Sequence, residues 1–223
     1  MTNFKPFYSL AAVKRYVLLA APLMAIALAL PAASPALAGD NQGNTLIKVL
    51  GTYVLPESDL KGASGLTIDV EERAVPTLSI AYFLTNNIAV ETICCFTSHS
   101  IFNQANGAKI SDVWIFPPTL SLQYHQQLGA FKPYVGVGVN YMAIFDESGP
   151  GIDLKNDWGL ALGGGVDVAL GGGWQLSFDV KKIIGIDSDI HAGGAYLDTV
   201  ELDPWMVSVG VGYRFNFQDL LAQ

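Results

Sequence analysis

Eight ionisable residues occupy alternate positions within segments that switch strictly between apolar and small or polar residues: Lys48, Glu91, His125, Lys132, Asp167, Asp179, Lys181 and Arg214. Successive side chains of a strand point to opposite faces, so shared parity within a segment means a shared face. Carboxylates, amines and an imidazole on one face could in principle carry acid–base or nucleophilic chemistry. That chemistry needs a histidine oriented by an acid and aimed at a nucleophile. The spacing does not supply it: Gln123 is the same-face neighbour of His125, His99 and His191 fall in segments that read as loops, and no Ser-His-Asp grouping stands out. The simpler reading is a layer of opposite charges that neutralise one another in a confined space. No catalytic residue is assigned. Asp187, Asp189 and His191 could share a face, but three ligands in an acidic loop are more simply solvated, and no metal or cofactor is expected.

Followed along the strands, the same parity turns apolar at Val54, Ile93, Cys95, Ile115, Pro117, Met142, Ala161, Ile144 and Met206. A charged floor beneath an apolar chamber fits a hydrocarbon or amphiphile and is closed to bulk ion flow. A water-filled pore would be polar at that level. A solute that meets a closed floor has to leave sideways between strands. Pro117 and Pro118 donate no ladder hydrogen bond and mark a candidate lateral opening, although a bulge that only shapes the strand explains them equally well. Cys94 and Cys95 are adjacent, point to opposite faces, and read as small apolar residues rather than as a disulfide.

The elements that must position these residues are strands. From Trp205 to Phe217 large apolar residues alternate with small or polar ones without a slip. Similar segments run near 46–55, 76–84, 88–97, 113–126, 131–145, 158–170, 174–182 and 200–217, which makes about eight. Tight turns at 85–87, 127–130 and 171–173 alternate with long connections at 56–75, 98–112, 147–157 and 183–199. The oily parity carries aromatics at both ends: Tyr53, Phe96, Trp114, Phe116, Phe145, Trp158 and Trp205 near the long loops, and Tyr82, Tyr124, Phe131, Trp174, Tyr213 and Phe215 near the turns. Paired aromatic girdles with short turns on one side and long loops on the other describe an all-β, eight-stranded antiparallel transmembrane barrel, turns in the periplasm and loops outside. Glycines 136, 138, 163, 165, 210 and 212 fall on the inward parity, where a narrow barrel is crowded.

The N-terminus has its own logic. Lys14 and Arg15 precede an apolar run from Tyr16 to Leu30, then Pro31, Pro35 and the small-x-small signal Ala36-Leu37-Ala38, which reads as a cleaved secretory leader over residues 1–38. Its removal from 223 residues leaves 185, one domain, read as a barrel over 39–215 and a short periplasmic tail over 216–223. Three of the twelve basic residues and none of the twenty acidic ones lie in the leader, so the mature chain carries nine against twenty, a formal charge near −11. That balance excludes a nucleic-acid footprint and reads as an acidic rim on the loops.

Four stretches resemble the outer membrane protein W (OmpW) family: Asn87 to Glu91, Pro117 to His125, Phe131 to Tyr141, and Leu202-Asp203-Pro204-Trp205 running into Gly210 to Phe215. The resemblance covers nearly the whole mature chain and implies an eight-stranded outer-membrane barrel that passes small hydrophobic molecules inward. It implies no enzyme activity, and as partners outer-membrane lipid, small hydrophobic solutes and the barrel-assembly machinery, with the barrel a monomer. Two departures stand out. The chain continues past Phe215, so either Phe215 or Phe217 serves as the terminal assembly aromatic, and the region of Gly185 looks one residue long, enough to shift parity after Lys182. The competing reading is a structural or surface-recognition barrel that displays its loops and transports nothing.

Overall fold

The computed structural model describes residues 41, 43–57, 59–60, 68–103, 107, 109–148, 152–192 and 195–216. The leader expected over 1–38, Phe217 and the tail after it lie outside the described residues, as does the side chain of Phe145. The first third of the fold comprises β1 (Asn44–Leu55), β2 (Asp59–Leu60), β3 (Ile68–Val70), β4 (Arg73–Phe83) and β5 (Ile88–Cys94). Next come β6 (Thr97–Asn103), β7 (Lys109–Phe116), β8 (Thr119–His125), β9 (Phe131–Ser148) and β10 (Ile152–Leu154). The chain ends with β11 (Asp157–Gly171), β12 (Trp174–Ile184), β13 (Asp187–Ala192), β14 (Ala195–Glu201) and β15 (Trp205–Asn216).

Eight of these strands close on themselves in the order β1, β4, β5, β8, β9, β11, β12, β15, with β15 returning to β1 and every pairing antiparallel. Closure leaves no sheet edge, which is the condition for strands to cross lipid. Along β1 the side chains of Leu46, Lys48, Leu50, Thr52 and Val54 are buried while Val49 and Tyr53 are exposed. The outer face is an apolar band that includes Leu78, Leu120, Leu122, Val137, Val139, Leu176, Val209 and Val211. Exposed aromatics bound it, with Tyr53, Phe96, Trp114 and Trp158 at one level and Tyr82, Tyr124, Phe131, Trp174 and Tyr213 at the other. A face of this composition is stable against hydrocarbon and not against water.

Three segments expected to be continuous are divided. The third breaks at Cys95 and Phe96 between β5 and β6, the fourth at Pro117 and Pro118 between β7 and β8, and the last at Leu202 to Pro204 between β14 and β15. Proline explains the second and third, since it brings no N–H to a ladder. The long connections also hold strands. β3 pairs with β6, and β10, β13, β14 and β2 form a separate four-stranded sheet. These pieces lack the clean alternation of lipid-facing strands, which is why they read as loops. The slip expected after Lys182 falls at Gly185: Ile183 is inward, Ile184 outward, and Ile186 inward again, with Gly185 at φ 85°.

The inward glycines let neighbouring backbones approach. A Cβ on Gly210 would lie 2.1 Å from the Val49 carbonyl oxygen and 2.7 Å from Leu50 Cα, whereas one on Gly212 would first meet the Leu46 Cδ1 atom at 3.0 Å, the end of a flexible side chain. Gly210→Val is therefore expected to cost more than about 3 kcal/mol and to abolish the compact, heat-modifiable band on semi-native gels, while Gly212→Ala retains it.

Candidate functional site

The lower lumen is filled by a charge network. Lys181 Nζ lies 2.8 Å from Asp179 Oδ1 and 3.1 Å from Glu91 Oε2, and Lys48 Nζ lies 3.4 Å from Asp167 and 3.8 Å from Glu91. All five side chains are almost wholly buried. Neutral groups add to the shell: Ser79 donates to Glu91 at 2.7 Å, Gln123 Nε2 to its other oxygen at 2.7 Å, Ser177 to Asp167 at 2.6 Å and Tyr134 to Asp179 at 2.9 Å. Gly165 makes room for the Tyr134 ring and Gly163 for the Lys181 chain. His125 donates from Nε2–H to Gln123 Oε1 at 2.9 Å, stacks on Tyr134 and meets Phe83 at a tilt, with the Arg214 guanidinium over Phe83. Arg214 also bonds Asn41. Lys132 and Arg214 are the least buried of the eight charges and lie at the turn end.

Above this layer opens a chamber with about 720 Å³ of empty space, its mouth included. Seven of the nine residues singled out on the apolar parity stand in its wall: Val54, Cys95, Ile115, Pro117, Met142, Ile144 and Met206. Ile93 is inward and buried but outside that wall, and Ala161 lines a smaller space beside Lys181 and Asp179. Sequence reasoning missed Val113, although it shares the parity of Ile115, as well as Ile183, left in a connection, Val200 and Leu202, which lie beyond the expected slip, and the polar Thr97, His99 and Asn140. Asn140 was legible, since it shares the parity of Gly138 and Met142 on β9.

One side of the chamber faces an interruption in the wall. The β5–β8 register runs as far as Ile93 opposite Thr119, and the β6–β7 register begins at Thr97 opposite Ile115. Pro117 and Pro118 stand in the interval, and Phe96 stacks on Phe116 beside it with ring centroids 4.6 Å apart. On the other side the wall is continuous, because Tyr141 N–H donates to the Pro118 carbonyl at 3.0 Å.

Above the outer girdle, His99 is held neutral. Burial pushes its imidazole below the usual range, the Glu71 carbonyl 2.7 Å from Nδ1 acts in the opposite sense, and the Arg73 charge lowers it further. Nδ1–H therefore donates to Glu71, and Nε2 accepts from the Thr97 hydroxyl at 3.1 Å. Asp112 is drawn down by its bonds to Lys109 and Ser100.

A closed eight-stranded barrel with a lipid-facing apolar band, a charged lower lumen and an apolar upper one defines a small outer-membrane barrel of the bacterial envelope. The chain belongs to the OmpW family, whose model matches residues 41–215. It is 36% identical to the uncharacterized outer-membrane protein y4mB of Sinorhizobium fredii over 195 residues, 83% of this chain and 85% of that protein. It is 30% identical over 115 residues to the dibenzothiophene metabolism operon protein PahQ of Pseudomonas aeruginosa, 49% of this chain and 54% of the relative. The crystal structure of the outer membrane protein OprG from Pseudomonas aeruginosa superposes with a TM-score of 0.67 at 26% identity, covering 81% of this chain and all of the other.

Two outcomes follow from the geometry. Lys181→Met strands Asp179 and Glu91 without their shared cation and is expected to destabilise the folded barrel by about 3–5 kcal/mol in urea unfolding from vesicles. The Lys181→Met/Glu91→Gln pair should recover part of that loss. His99 has a folded pKa below its unfolded value of about 6.5, so its contribution to stability is complete above that pH and is lost as pH falls toward the folded value. The opening free energy of β6 amides, taken from exchange rates corrected for their intrinsic pH dependence, should fall from pH 7 toward pH 5, and that fall should be absent in His99→Gln.

Proposed function

We propose that the barrel takes small hydrophobic molecules from outside the cell, holds them in the apolar chamber and releases them sideways into the membrane rather than through the floor. The observation that carries this reading is the position of the chamber, whose wall includes Pro117 and Cys95 at the level where the paired register between the third and fourth barrel strands is interrupted. Pro117 and Pro118 are the candidate lateral opening. An apolar lining supports a hydrophobic cargo, because a lumen meant for water or ions would carry polar groups there. The matched charges below support a floor that stops ions, since opening it would expose partners such as Lys181 and Asp179 to separation. PahQ, a relative, bears dibenzothiophene metabolism in its name, and dibenzothiophene is an apolar aromatic.

On this reading residues 1–38 are an export leader, 39–215 the barrel, and 216–223 a periplasmic tail. The assembly machinery would recognise Phe215, where the family match ends, in preference to Phe217. The surface-recognition alternative draws on the separate sheet of β10, β13, β14 and β2, which could display a docking surface.

Uptake of apolar compounds into proteoliposomes, measured beside ion conductance in planar bilayers, separates the two. Saturable uptake with little conductance is expected, and Ile115→Lys or Met142→Asp should reduce uptake more than about tenfold while the barrel still shows heat modifiability. Equal uptake in those assembled variants would sink the conduit and favour the display barrel.

A further inference from the structure

Of the polar residues in the chamber wall, Thr97 and His99 satisfy one another and the Glu71 carbonyl. Asn140 is different. Its side chain is fully buried, and its Nδ2 donates to the Pro117 carbonyl at 3.2 Å, to the Pro118 carbonyl at 3.4 Å and to Thr119 Oγ1 at 2.8 Å. Carbonyls only accept, and the Thr119 hydroxyl is itself turned toward the Pro117 carbonyl at 3.4 Å, so the amide orientation is fixed by its partners. The Oδ1 atom is left without a hydrogen-bond partner among the described residues. Buried acceptors in folded proteins are rarely left so.

We infer that Asn140 Oδ1 is the specificity-determining acceptor of the chamber, and that the preferred ligand is a neutral amphiphile carrying a single hydroxyl donor on an apolar body. This deepens the conduit reading and rests on it. Thr97 and His99 have their donors committed, so the described wall offers this acceptor and, apart from the weakly donating Cys95 thiol, no free side-chain donor. A hydroxyl would satisfy that acceptor. An ether or alkane of the same size would leave it unpaired, and a carboxylate would set one acceptor against another with no cation in the wall to offset its burial. The remaining lining, with Ile115, Met142 and Ile144 on the same side, would enclose the apolar body. Because Nδ2 holds the two proline carbonyls at the interrupted wall, the hydroxyl would be recognised beside the proposed exit.

The test uses 1-octanol and its isomer 1-methoxyheptane, which differ in the donor and share a formula. Binding to the full barrel in lipid nanodiscs is followed through the NMR shifts of the Met142, Met206 and Ile115 methyl groups, with free concentrations corrected for partition into the bilayer. Octanol is expected to bind about tenfold more tightly than the ether, the scale of one neutral hydrogen bond. The ratio should fall to near one in Asn140→Leu, and octanoate should not compete at neutral pH. Equal binding of the two isomers to the unmodified barrel overturns the inference and leaves the conduit standing, and that comparison decides even if Asn140→Leu does not assemble. A preference retained in an assembled Asn140→Leu barrel overturns the assignment to Asn140. Binding of neither isomer overturns both the inference and the conduit.

Discussion

The Lys181 ammonium, held between Asp179 and Glu91, is the contact on which the rest of the lumen depends. Eight strands enclose too little space for water to solvate an isolated ion, so inward charges have to find counter-charges within the lumen. The pairing draws in residues from four strands: Glu91 on β5, Asp179 and Lys181 on β12, Lys48 on β1 and Asp167 on β11. Tyr134 reaches across from β9 to bond Asp179, and it can do so because Gly165 opposite carries no side chain. Removal of one member leaves the others buried without compensation, which is why a network of small gains acts as one structural unit. Where the charges end, the lumen becomes apolar, and the division into floor and chamber follows from where the paired residues are exhausted.

Lipid imposes the second constraint. Backbone groups in the hydrocarbon region have no water to turn to, so closed pairing is the rule and an interrupted register needs support. Around Pro117 and Pro118 that support is a side chain: Asn140 supplies N–H donors to both proline carbonyls, and Tyr141 supplies a backbone one to Pro118. The interruption is thus held in place by β9 rather than being a loose end of β7 or β8. Its consequence for function is local: the same asparagine that supports the wall also forms part of the chamber.

Much of the barrel was legible because lipid-facing strands have a strict period of two, and that period also sorts inward from outward residues. It located the aromatic girdles, the parity of Lys48, Glu91 and Asp179, and seven residues of the chamber wall. It failed where strands leave the membrane. β3, β6, β10, β13 and β14 lie mostly in segments whose sequences carry no such alternation, so they read as loops. Val70, His99, Ile101 and Leu154 joined the chamber from those regions. The slip at Gly185 was anticipated within a few residues because an extra residue in a repeating pattern is countable.

The sequence alone therefore determined the strand count, the face each strand turns to lipid, the girdles and the inward parity, since all of these depend on residue type at alternate positions of a single strand. Only the tertiary structure decided which charges pair, that Tyr134 reaches over Gly165 to Asp179, where the register between the third and fourth strands is interrupted, and that one acceptor of Asn140 finds no partner among the described residues. Those properties depend on distances between residues as far apart in the chain as Lys48 and Asp167, or Pro117 and Asn140. Such distances are fixed by strand register and barrel closure, and no single strand encodes them.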